Sequence, residues 1–196
     1  GIWQLGEEAA AAANGQEPGD IKVQDVDGNG VITTDDRIIY SQRPDVTFGF
    51  NNTFNYKGFD LSVFLYARLG QWIAYDYNTT YRINALENGG NVDYWTPENP
   101  TNAFPCPNKS KSYTQVTYYS TLKYEDGSFF KIRDITLGYT FKPELLKHLN
   151  LSRLRVYATA KNFFTFSKID NYDPEQGGSI SFPMTKQLVF GLNVEF

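Results

Sequence analysis

The chain has 196 residues, 20% of them charged, and a formal net charge of −4. That balance gives no reason to expect nucleic acid, whose partners usually carry a basic patch, and the single cysteine excludes a disulfide within the chain. No basic-then-apolar leader follows Gly1, so no signal peptide is expected, and no run approaches the roughly 18 apolar residues of a spanning helix. Barrel strands stay open to the chain, because their alternation cancels in a hydropathy average.

Residues 1–45 read as a long polar loop. It has room for a short helix over Glu7–Ala13, stopped near Asn14 and Gly15. Within it, "DVDGNGVITTDD" runs from Asp25 to Asp36 and fits the calcium-loop template. Asp25, Asp27 and Asn29 supply side-chain oxygens at the first, third and fifth positions, and Gly30 stands where the loop turns sharply. Val31 offers its carbonyl, Thr33 ligates directly or through water, and Asp36 takes the last position, where a longer Glu is usual. A hard cation needs six or more oxygens, and this spacing supplies them from one loop. The expected cofactor is therefore a structural calcium. The plain alternative is an acidic turn, since Asp, Asn and Gly favour turns anyway.

After Pro44 the texture changes to period two. Val46, Phe48, Phe50, Phe54 and Tyr56 form one row, broken only by Asn52. Lys57-Gly58 is a two-residue connection, and Phe59, Leu61, Val63, Leu65, Ala67 and Leu69 follow, so 46–70 reads as a hairpin with one apolar face. Residues 71–128 read as a long loop rich in Asn, Pro, Tyr and Thr. From 129 to 196 three more strands are expected. Ile135, Leu137, Tyr139 and Phe141 share a face in the first of them. A short turn over 142–151 with one or two helical turns follows, started by Pro143. Leu154, Val156, Ala158 and Ala160 then alternate, and a polar loop over 166–185 leads to Leu188, Phe190, Leu192, Val194 and Phe196.

Strands of ten to fourteen residues are the length a tilted strand needs to cross a bilayer. Short and long connections alternate, as in transmembrane barrels, and Phe163, Phe164 and Phe166 crowd a strand end as an interfacial girdle would. The apolar rows then face lipid. Asn51, Thr53, Asp60, Arg68, Arg155, Lys161, Asn193 and Glu195 face the lumen. Unbroken alternation places Lys131 and Arg133 on the apolar face near its loop end, where they would meet lipid phosphates.

The remaining residues point away from catalysis. His148 sits in "LLKHLN" and is expected to be solvated. Cys106 in "PCP" has no nucleophile motif around it. There is no G-x-S-x-G, and the acidic residues are too scattered for a glycosidase pair. The loop aromatics Trp72, Tyr75, Tyr77, Tyr81, Tyr94 and Trp95 suit either stacking on a ligand or partner, or packing within the loops.

The segments "PGDIKVQDVDGNGVITTDDR", "TFGFNNTFNYKGFDLSVFLYARLG", "WTPENPTN", "EDGSFFKIRDITLGYTF", "LRVYATAKNFFTFSKIDNYDPE" and "FGLNVEF" occur in that order. Together they resemble the C-terminal region of SusC/RagA-type TonB-linked outer-membrane transporters. The resemblance implies an all-β fold, the last antiparallel strands of a large barrel of the 22-stranded type. It implies a non-catalytic part in importing oligosaccharides or peptides across a Gram-negative outer membrane. The implied partners are a SusD-like surface lipoprotein, TonB through a plug not carried here, the rest of the barrel, outer-membrane lipid and the barrel-assembly machinery. That machinery is expected to read Phe196 as an assembly signal. The long loops would be extracellular, and 57–58, 142–151 and the C-terminus periplasmic. The competing expectation is a soluble extracellular carbohydrate-binding β-sandwich with a structural calcium.

Overall fold

The computed structural model describes residues 1–79, 92–107 and 119–196. The chain divides into two compact units, residues 1–41 with 74–125, and residues 42–73 with 126–196.

The second unit is built on strands β1 (Val46–Tyr56), β2 (Phe59–Leu69), β5 (Phe129–Thr140), β6 (Arg153–Ser167) and β7 (Gln187–Glu195). They form one five-stranded antiparallel sheet in the order β1-β2-β5-β6-β7. A separate two-stranded sheet joins β3 (Trp72–Ala74) to β4 (Tyr124–Asp126). The Lys57-Gly58 connection closes the β1–β2 hairpin with φ of 47° and 90°. Two positive φ values in succession are the signature of a type I′ turn, whose twist matches that of the strands. Between β5 and β6 the chain makes helix α2 (Pro143–Leu146) and a 3-10 turn over Lys147–Leu149. Pro143 opens this helix because its missing N–H would have no partner there anyway.

One face of the sheet is apolar and uncovered. Leu188, Phe190, Leu192 and Val194 of β7 are exposed, Phe190 by 76% and Leu192 by 68%. Their neighbours in register are Ala160, Ala158, Val156 and Leu154. In the hairpin Phe48, Phe50 and Phe54 stand exposed on the same face. A sandwich would bury such rows against a second sheet, and among the described residues they stay open.

The bulge at Arg133 overturns one expectation. Lys131 and Arg133 do not lie on the apolar face. The β2–β5 ladder pairs Phe64 with Asp134 and then Leu65 with Ile132, so Arg133 is passed over. One extra residue inverts the facing of every residue beyond it. Phe130 and Ile132 therefore continue the apolar row set by Ala67 and Leu65, and Phe129 and Lys131 move to the polar face. On β6 two residues, Asn162 and Phe163, pass the same level, with Asn162 in the left-handed region at φ 59°. Two extra residues leave the facing of β6 unchanged, and Phe164 and Phe166 pair with Ile132 and Phe130.

The first unit holds helix α1 (Glu8–Ala13) and a small core of Ile2, Ile21 and Trp95, with Leu122 packed against it. Gly19 sits there at φ 93°, so close to the Trp95 ring and Cys106 that a Cβ would collide with both. Cys106 itself is exposed.

Candidate functional site

The polar face of the sheet carries paired side chains. Arg155 Nε donates to Asp60 Oδ1 at 2.9 Å and Nη2 to Asp60 Oδ2 at 2.5 Å, a bidentate pair. The two residues belong to β6 and β2, with β5 between them. They meet because Gly138 of β5 has no side chain, and a Cβ there would lie 2.5 Å from both groups. The Thr136 and Thr159 hydroxyls share a hydrogen bond of 2.9 Å, Ser62 donates to Asn51 at 3.2 Å, and Arg68 Nε donates to the Tyr66 hydroxyl at 2.8 Å. Lys131, buried completely, lies 2.7 Å from Asp173 and 2.8 Å from Glu175. Sequence reasoning missed this last cluster. Its signal was the apolar phase of β5, which runs through Phe130 and Ile132 and then through Ile135, Leu137 and Tyr139.

The loop from Asp25 to Asp36 is folded around its own acidic side chains. Asp25 accepts from the Gly28 and Gly30 N–H groups, each at 2.7 Å. Asp27 accepts from Asn29 N at 3.0 Å, and Asn29 Oδ1 accepts from Val31 N at 2.7 Å. Asp36 is 8% exposed and accepts from Val26 N and Thr33 N, both at 2.7 Å. The Thr33 and Val26 N–H groups hold its carboxyl below the usual carboxylate range. Thr33 caps the single 3-10 turn Thr34–Asp36. One carboxylate oxygen from each of Asp25, Asp27 and Asp36 lies within 4.8 Å of the others. Each carboxylate oxygen keeps a lone pair after accepting one N–H, so this all-oxygen donor set fits a hard divalent cation. Asp25, Asp27 and Asp36 converge, Asn29 and Thr33 are turned to backbone N–H groups, and the Val31 side chain is exposed.

The loop aromatics divide by burial. Tyr75, Tyr77 and Trp95 are buried. The Tyr75 and Tyr77 rings stack at 5.7 Å, and Trp95 Nε1 donates to Gln4 Oε1 at 2.8 Å. Their rings are taken up by packing. Trp72 and Tyr94 are exposed, and Tyr81 lies outside the described residues. Phe196 follows the end of β7 and is 93% exposed.

Long antiparallel strands with one open apolar face and one hydrogen-bonded polar face define a wall segment of a transmembrane β-barrel. No family model matches the chain. It is 30% identical over 222 residues to TonB-dependent receptor P3 of Formosa agariphila, covering 100% of this chain and 21% of that protein. It is 31% identical over 180 residues to TonB-dependent receptor SusC of Bacteroides thetaiotaomicron, covering 88% of this chain and 17% of that one. A solved structure of the RagAB peptide transporter superposes with a TM-score of 0.66 at 26% identity, covering 88% of this chain and 20% of that one. The chain belongs to the SusC/RagA type of TonB-dependent outer-membrane proteins, and it spans about a fifth of the length of the curated relatives it matches.

Proposed function

We propose that this chain is a C-terminal wall and outer-loop portion of a TonB-dependent importer of oligosaccharides or peptides, and that it catalyses no reaction. The sidedness of the sheet carries this reading. Apolar rows on β1, β2, β5, β6 and β7 share one face, and the Asp60–Arg155 pair and the threonine bonds share the other. Lipid is the solvent that suits the first face, and a water-filled lumen suits the second. β1 and β7 stand at the two edges of this sheet among the described residues, and lipid does not tolerate open strand edges. They pair with further strands of the whole protein.

On this reading β7 runs toward the periplasm. The 57–58 and 142–151 turns lie there, and residues 1–45, 71–128 and 166–185 lie outside. A SusD-like surface lipoprotein docks on that outer side, and TonB acts through a plug elsewhere in the protein. The Asp25–Asp36 loop is a calcium clamp. Asp25, Asp27 and Asp36 give carboxylate oxygens, Asn29 and Thr33 side-chain oxygens, and Val31 its carbonyl. The ion supplies cross-linking charge rather than chemistry. Among the described loop aromatics, the exposed Trp72 and Tyr94 are the ones offered to a substrate or partner. Phe196 is the assembly signal.

The test uses the full-length protein. Leu192→Arg on the lipid face costs about 2–4 kcal/mol near the bilayer midplane and lowers the amount recovered in the outer-membrane fraction. Asn193→Arg, on the lumen face, leaves that yield unchanged. Equal tolerance of both, or recovery of the wild-type protein as a soluble monomer, contradicts the reading.

A further inference from the structure

Lys131 is the most deeply buried charge among the described residues. Its ammonium lies between Asp173 Oδ2 at 2.7 Å and Glu175 Oε2 at 2.8 Å. The bulged Arg133 reaches the other Glu175 oxygen at 3.1 Å. Two cations and two carboxylates cancel, which is the condition for holding charge away from water. Both cations belong to β5. Both carboxylates belong to the segment between β6 and β7. The cluster thus ties a loop to the wall across a long stretch of sequence.

The loop is built to meet it. Asp173 Oδ1 accepts from Glu175 N at 3.0 Å and so caps a 3-10 turn over Pro174–Gln176. Asp173 Oδ2 also accepts from the Thr165 hydroxyl of β6 at 3.4 Å. Ile169 and Pro174 of this segment are buried. Directly after the turn, Gly177 and Gly178 take φ of 69° and 96°, a conformation that a Cβ would strain, and the chain changes direction. Beside the cluster lies a polar cavity of about 330 Å³, lined by Asn162, Thr165, Asp170, Tyr172, Asp173 and Lys186 among others.

We propose that Lys131, Arg133, Asp173 and Glu175 form a latch holding residues 168–178 down on the polar face of the wall, so that this segment is a strap released as a unit when the latch opens. Asp173 and Glu175 stand on one short turn, so lifting that turn takes both carboxylates from Lys131 together and leaves a buried, unpaired charge, which favours opening and closing as a unit. Release removes one side of the cavity beside it. Only the location of the strap inside a channel rests on the importer reading. The latch itself does not.

Hydrogen exchange on the purified full-length protein tests it. Lys131→Met raises exchange over 169–178 by roughly tenfold or more, while 154–161 and 188–195 keep their protection. Lys131→Arg, which retains the charge, restores most of the protection. Asp173→Asn with Glu175→Gln gives the same local acceleration without touching a wall strand, and it carries the test if the Lys131 variant does not assemble. Unchanged exchange over 169–178 in the loop-side variant overturns the proposal. So does an equal acceleration over 154–161, which would make the cluster a prop for the wall. Fractionation of the same samples separates the two ideas, since a soluble protein contradicts the importer whatever its exchange pattern.

Discussion

The β1–β2 hairpin and the β5–β6 pair are both long antiparallel ladders, yet only the first runs without interruption, from Val46↔Leu69 to Tyr56↔Phe59. In the hairpin, alternation alone places every side chain. In β5 one extra residue at Arg133 exchanges the two faces, sending Lys131 to the polar side and Ile132 to the apolar side. Period two is therefore a local rule. Extended across a bulge it errs by one, and an error of one inverts the assignment completely. The interruption also has a use, since it carries a lysine to where an acidic loop receives it.

Glycines on the polar face sharpen the contrast. Gly138 lies under the Asp60–Arg155 pair, whereas Gly49 of the hairpin has the Phe64 ring at an ordinary 3.7 Å from where a Cβ would stand. Gly138→Val should cost about 1–3 kcal/mol through overpacking and loss of the ion pair. Gly49→Ala should stay within about 0.5 kcal/mol of wild type. Chemical unfolding of the full-length protein in lipid vesicles measures both. Equal costs would mean that Gly138 is not the gap through which the pair meets.

The smallest effect on either ladder should come from the Asp25–Asp36 loop. Chelation should speed hydrogen exchange over 20–45 and leave β1, β2, β5 and β6 unchanged. Asp25→Ala with Asp27→Ala should reproduce this with calcium present, and unchanged exchange would sink the calcium clamp. The Asp36 carboxyl is held below its ordinary range by the Thr33 and Val26 N–H groups. A depressed carboxylate stabilises the loop above the ordinary range and loses that contribution as pH falls through its native value. The loop should thus be firm at neutral pH and loosen as pH falls into the acid range. Asp36→Asn should flatten that dependence.

Much of the wall was legible in the residues. The Lys57-Gly58 turn, Pro143 at a helix start and the rows of β1, β2 and β7 follow from local rules of turn chemistry and alternation. The bulge left its trace in the neighbouring Phe129-Phe130 and Phe163-Phe164 pairs, where two large apolar side chains in succession cannot both face one side. The Lys131–Asp173–Glu175 cluster was not legible. It depends on tertiary approach between segments 42 and 44 residues apart, and charge spacing along a chain does not encode that. Nor could composition tell Trp95, buried in a core, from Tyr94, exposed beside it.

The central claim is that one face of the strands meets hydrocarbon, with its phase inverted at Arg133. A nitroxide scan along residues 129–140 of the membrane-inserted full-length protein tests it most directly. Collision rates with oxygen, which concentrates in lipid, should peak at 130, 132, 135, 137 and 139. Rates with a water-soluble nickel chelate should peak between them. Oxygen maxima at 129, 131 and 133 in unbroken alternation would contradict the inversion, and a scan with no oxygen maxima would contradict the lipid-facing wall.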